Sequence, residues 1–228
     1  MKKRFLIVAP HPDDAELGIG GSIIKLKEDG HRVFMVDLTD GEPTPFGTKE
    51  KRAEETKRAT KIVKADKRVN LGLTNRYLAD TKEARLRLAE QIRLARPDVL
   101  LAPYHEDAHP DHIAASRIIE GARFYAKYTK TSLKGEPHYT YYLFYYFCAH
   151  LRVLPRISFL VDISDQFKRK MKAVACYRSQ FSDNPKGRFV PDYVETQNRY
   201  LGRLIHARYA EALYCREAIK VDDMAGLL

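Results

Sequence analysis

Two short segments carry side chains that could do chemistry together: His11-Pro12-Asp13-Asp14 near the start, and His109-Pro110-Asp111-His112 some ninety residues later. Four of the eight histidines are His11 or lie between His105 and His112. Imidazole and carboxylate are the donors of a hydrolytic zinc, which takes three protein ligands and keeps one position for water. Such a centre also needs a base, outside the ligand set, that can reach that water. Adjacent Asp13 and Asp14 allow this division, one on the metal and one on the water. His109 and His112, three residues apart, allow another, one ligating and one facing the substrate oxygen. The ordinary alternative is proline in a first helical turn with aspartate complementing the helix dipole. It explains the Pro-Asp pairs but not the histidines before them.

Each segment follows a predicted strand and precedes a predicted helix. Phe5–Ala9 is an apolar run that reads as a buried strand, and Ile19/Ile23/Leu26 recur at helical spacing after it. Val99–Ala102 reads likewise, followed by a helical stripe of Ala114/Ile118/Ala122/Tyr125. Between them come a strand at His31–Leu38 and a turn-rich loop at Thr39–Gly47. Thr48 then caps a helix to about Ala65 with Ala59, Ile62 and Val63 on its core face. Arg68–Leu71 is a short strand, and Thr81 starts a helix with the stripe Ala84/Leu88/Ile92/Ala95, ended by Pro97. This alternation predicts right-handed βαβ units on a parallel sheet, with both segments at strand carboxyl ends, where such sheets bind ligands. Gly18, Gly20 and Gly21 do not have the spacing of a dinucleotide fingerprint.

The second half is more aromatic. Tyr139–Cys148 and Ile157–Asp162 read as strands, Ser164 as the cap of a helix carrying Phe167/Met171/Val174, and Val194/Gln197/Leu201/Leu204 as a last long helix. With no linker or repeat, residues 1–228 read as one domain. The formal charge of +10 comes largely from bases interleaved with acids on helices, as in Lys49–Glu55. That pattern fits a solvated face better than a nucleic-acid patch, and it also suits a basic mouth that attracts an anionic substrate. Cys148, Cys176 and Cys215 are odd in number and contain no Cys-x-x-Cys pair, which suggests neither disulfides nor a thiolate zinc site. The leading apolar run is too short for a signal peptide, and no stretch has the ~20 apolar residues of a membrane span. A cytoplasmic protein without membrane contact is expected.

The run Ala9-Pro10-His11-Pro12-Asp13-Asp14 with a later His109-Pro110-Asp111-His112 resembles the PIG-L/LmbE-like zinc N-deacetylases, which act on N-acetylglucosaminyl compounds. It is most similar to the branch that contains the bacillithiol-biosynthesis deacetylases of N-acetylglucosaminyl malate. The resemblance runs on through Lys51-Arg52-Ala53-Glu54-Glu55, Arg96-Pro97-Asp98-Val99, Tyr177-Arg178-Ser179-Gln180-Phe181 and Tyr193-Val194-Glu195-Thr196, and so covers nearly the whole chain. It implies an α/β fold, a Rossmann-like three-layer sandwich whose mostly parallel sheet has helices on both faces. It also implies one Zn2+ per subunit on His11, Asp14 and His112. Asp13 would be the general base, and a protonated His109 would stabilise the oxyanion. Asp111 would orient His109 or tune its charge. Arg52 would lie near the aglycone carboxylate and Tyr193 near the active site. The substrate would be a small amino sugar, and the protein a homo-oligomer, trimer or hexamer.

Three positions depart from the family pattern. Ala15 stands where many members have glutamate, Ala108 where the branch tends to have arginine, and His206 where it often has glycine. Ala108 takes an arginine from the pocket side and leaves the hydrolytic centre intact. Local chemistry offers Arg52 another partner, a helix salt bridge to Glu55 or Glu54, and offers Tyr193 ordinary core packing. Two other functions compete. Another zinc amidohydrolase, or a phosphoesterase on the same ligands, would in the dinuclear case need two ions and more bridging carboxylates. A basic nucleic-acid-binding protein would leave the paired histidine segments without a purpose.

Overall fold

The computed structural model describes residues 2–149 and 155–220. The first apolar run forms β1 (Arg4–Ala9), central in a seven-stranded sheet. β2 (Arg32–Thr39) and β3 (Lys67–Leu73) lie on one side of it; β4 (Val99–Pro103) and β5 (Tyr142–Tyr146) lie on the other, all parallel. Beyond β5 come β7 (Ala210–Tyr214), antiparallel to both its neighbours, and β6 (Phe159–Asp162) at the edge. The full order is β3-β2-β1-β4-β5-β7-β6. The central strands are fully buried at their carboxyl halves, as strands covered on both faces must be.

Among the described residues, six helices cover the sheet. α1 (Asp14–Glu28), α2 (Lys49–Val63) and α5 (Phe167–Val174) pack together on one face, and α3 (Lys82–Ala95) and α4 (Pro110–Tyr125) on the other. α6 (Val190–Arg203) packs against β7. Local signals hold for α2 and α3. Thr48 Oγ1 accepts from the Lys51 amide at 3.2 Å, Thr81 Oγ1 from that of Ala84 at 3.1 Å, and Ala84, Leu88, Ile92 and Ala95 are all buried.

Several expectations need correction. Ser164 caps no helix: Gln166 precedes α5, and Ser164 Oγ accepts from the amides of Arg208 and Tyr209 beside the β6–β7 edge. In α4 the buried stripe includes Ala115 and Ile119, and Ala114 and Tyr125 are only half-buried. α6 buries Asn198 rather than Gln197, and Leu204 is exposed. The aromatic strand is shorter than its apolar run, and β7 lies in a stretch read as no element.

The first helix is broken. Ile19 sits at φ −138°, ψ 24°, so the amides of Gly21 and Ser22 begin a new helical segment. Both donate to the carboxylate of Glu211 on β7, at 2.9 and 2.6 Å. Lys170 of α5 donates to the same carboxylate at 2.7 Å and to Asn198 Oδ1 at 2.8 Å, with Lys170 and Glu211 both wholly buried. A Cβ on Gly18 would lie 2.7 Å from the Tyr146 ring, and one on Gly21 would lie 2.7 Å from Ile163 Cδ1. The glycines of this stretch therefore serve close packing.

Candidate metal centre

The sheet reverses its winding direction at β1, whose neighbours are β2 on one side and β4 on the other. The crevice between the carboxyl ends of β1 and β4 is such a sheet's usual ligand site. His11 to Asp14 leave β1 there, and His109 to His112 leave β4. The imidazoles of His11, His109 and His112 meet, with ring centroids 5.0 Å (His11–His109), 5.5 Å (His11–His112) and 4.6 Å (His109–His112) apart. Asp14 Oδ2 lies between two of them, 3.1 Å from His11 Nδ1 and 3.4 Å from His112 Nε2.

The electrostatics describe a place made for positive charge. Burial opposes protonation of His11, but Asp111 and Asp14 outweigh it and raise the imidazole to about 9. His112 is likewise held well above the ordinary histidine value, burial being overcome chiefly by Asp14. Burial would raise Asp14, yet His112 and His11 hold it well below the usual carboxylate range. A buried carboxylate with two imidazoles fits a divalent cation by donor type. Among the described residues, two groups of metal-type donors have ligand atoms within 4.8 Å of one another: His11, His109 and His112, and Asp14, His112 and Cys148.

Asp13 stands beside this cluster. Its backbone takes φ +116°, a left-handed conformation rare outside glycine that costs about 1–3 kcal/mol and gathers at functional sites. The carboxylate faces Arg52 Nη2 at 3.2 Å. Burial lifts Asp13 to about 7, with Arg52 opposing. Arg52 therefore forms no helix salt bridge with Glu55, whose carboxylate instead accepts from Ser179 N at 2.8 Å and Ser179 Oγ at 2.7 Å.

His109 is the N-cap of α4: its Nδ1 accepts from the Asp111 amide at 3.2 Å, and Pro110 occupies the first turn. Capping thus accounts for this histidine as well as for the Pro-Asp pair. The Asp111 carboxylate faces elsewhere, 3.2 Å from His11 Nε2, and accepts from the amides of Arg76 and Leu78 at 2.8 and 3.2 Å. Sequence reasoning missed Asp107. Its Oδ2 lies 2.9 Å from His112 Nδ1 and its Oδ1 accepts from the His109 amide at 2.9 Å, holding both histidines of the second segment. Its place two and five residues before them was the available signal.

These groups open on a cavity of about 320 Å³ whose lining also includes Thr44, Asn75, Arg76, Gln180 and Phe189. Arg52 lines it too. Tyr193 is half-buried in the apolar cluster on the α1 face, and among the described residues Val190, one turn earlier, reaches the cavity from α6. A larger space of about 530 Å³ beyond Arg52, between α2 and β3, contains no imidazole. No described helix is long and apolar enough to cross a membrane.

Residues 6–122 match the family model described as PIG-L, GlcNAc-PI de-N-acetylase. The chain is 31% identical over 229 residues to the diacetylchitobiose deacetylase of Thermococcus kodakarensis, covering 92% of this chain and 82% of that protein. It is 25% identical over 194 residues to a probable N-acetyl-alpha-D-glucosaminyl L-malate deacetylase 2 of Bacillus anthracis, covering 79% and 83%. Among solved structures, the conserved protein TT1542 from Thermus thermophilus is similar at a TM-score of 0.88 and 40% identity, covering 96% of this chain and 98% of that one.

Proposed function

Since the chain belongs to the PIG-L family of de-N-acetylases, we propose that it hydrolyses the N-acetyl amide of a small N-acetylglucosamine-containing compound, releasing acetate and a free amine. The observation that carries this reading is the meeting of two His-Pro-Asp segments at the carboxyl ends of neighbouring strands β1 and β4. In this reading one zinc ion per subunit is held by His11, Asp14 and His112, and supplies Lewis-acid polarisation of the amide oxygen and a lowered pKa for water.

The protein's own groups do the rest. Asp13, outside that ligand set, takes the proton of the attacking water, and Arg52 fixes which way its carboxylate points. His109 donates a hydrogen bond to the developing oxyanion. With Nδ1 accepting from the Asp111 amide, a neutral His109 carries its proton on Nε2, so it can donate without an added charge. Burial alone already opposes protonation of that imidazole, which favours a neutral donor over the protonated His109 that the family resemblance implies. Asp111 is a positioning residue, its carboxylate on His11 and its amide on His109. Asp13 then returns its proton to the departing amine.

The protein is further read as a cytoplasmic homo-oligomer, trimer or hexamer, which light scattering on the purified protein measures. Family membership favours amide over phosphoester hydrolysis. The deciding test is release of primary amine, read with fluorescamine, from N-acetylglucosamine, its malate glycoside and diacetylchitobiose. Amine is expected from at least one, lost with chelator and restored by zinc. Silence across all three from zinc-loaded protein overturns the reading and points to N-acyl amino acids.

A further inference from the structure

The second group of metal-type donors is not the one used above. Asp14, His112 and Cys148 each present a ligand atom within 4.8 Å of the other two. All three are buried, with exposures of 4%, 0% and 1%. Cys148 arrives there by topology: it follows β5 by two residues, and β5 runs parallel to β4, so its carboxyl end lies beside the start of α4. Carboxylate, imidazole and thiolate together suit zinc and softer divalent ions better than magnesium or calcium.

We propose that Cys148 is a metal ligand, forming with Asp14 and His112 a second, thiolate-containing position for a soft divalent cation that excludes occupation of the catalytic one. The inference rests on the reading of Asp14 and His112 as metal ligands. Exclusion follows from His112. Its Nδ1 is engaged by Asp107 at 2.9 Å, so Nε2 is the one nitrogen that serves either ion. An ion drawn to the sulfur therefore takes His112 away from His11. The coordination step balances without an oxidant: the thiol proton goes to solvent as the sulfur–metal bond forms. His11, His109, His112 and Asp14 line the substrate cavity, whereas Cys148 is not among its lining residues. An ion held on the sulfur sits behind the cavity wall, so thiophilic ions such as cadmium inhibit by occupying it.

The test strips the full-length protein with chelator and titrates it with cobalt(II) alone, followed by absorption. Wild type is expected to show visible d–d bands together with a near-ultraviolet sulfur-to-cobalt charge-transfer band. That band is lost in Cys148→Ser with the d–d bands kept. It persists when Cys176 and Cys215, both half-buried, are replaced by serine, and this second variant decides the matter should Cys148→Ser not fold. Two results overturn the proposal: d–d bands in wild type without charge transfer, or a charge-transfer band that survives Cys148→Ser. Absence of cobalt uptake by wild type would overturn the metal centre itself along with it.

Discussion

Asp107 offers the sharpest test of how the centre is held. Its side chain is 1% exposed and makes two bonds at 2.9 Å, one to His112 Nδ1 and one from the His109 amide. In the proposed centre the first leaves His112 Nε2 as the nitrogen to ligate, the carboxylate–histidine arrangement that orients metal ligands and raises their basicity. Removing such a partner costs about ten- to a hundredfold in metal affinity, or roughly 1.4–2.7 kcal/mol. Asparagine keeps one acceptor oxygen and presents an NH2 group to the other donor, so Asp107→Asn should lie near the tenfold end. Asp107→Ala loses both bonds and also frees the first turn of α4, so it should lie near the hundredfold end. Competition for zinc against a chromophoric chelator measures both, with circular dichroism confirming the fold. A folded Asp107→Ala protein that binds zinc as wild type does would refute the claim that this contact sets the ligand.

Other perturbations separate the remaining roles. Asp13 must be deprotonated to act as base, so activity should rise with pH through its titration. Because Arg52 holds Asp13 down against burial, Arg52→Met should move the acid limb of kcat/KM to higher pH; an unmoved limb would detach Arg52 from the base. His109→Ala should keep stoichiometric zinc by metal analysis and lose about a hundred- to a thousandfold in kcat, whereas His112→Ala should lose the metal; loss of zinc from the first variant would reverse the two histidines. Glu211→Gln leaves the wholly buried Lys170 without its counter-charge and should cost about 3–5 kcal/mol in a denaturant titration. Adding Lys170→Met should recover most of that loss, and failure to recover would mean that the amides of Gly21 and Ser22, rather than the charge, dominate.

How far the sequence could be read depended on the range of the forces involved. Thr48 and Thr81 were legible because a cap bonds within three residues, and the α3 stripe because periodicity is local. β7 was not legible. Ala210-Glu211-Ala212-Leu213 is rich in helix formers, and it becomes a strand because β5 and β6 offer it two edges. Ser164 has the residue type of a cap, but its hydroxyl is claimed by amides more than forty residues away. In the site, the histidines announced themselves by clustering, whereas Arg52 had a plausible partner at Glu55 and is captured instead by Asp13 across the fold. His206, set against a glycine by the resemblance to the family branch, takes φ +58°. That left-handed conformation costs a side chain about 1 kcal/mol that glycine would not incur.

The staple from Glu211 to the break in α1 joins residues 190 positions apart. On a ribosome the chain emerges from its amino end, so Asp14 at the start of α1 is made long before the carboxylate that holds the second segment of that helix. Until Glu211 is made, the amides of Gly21 and Ser22 lack the acceptor they have in the fold. On the proposed reading of the site, metal loading is then expected to follow synthesis of β7 rather than precede it. A protein shortened before Glu211 should then be metal-poor as well as unstable, although every residue of both His-Pro-Asp segments is present.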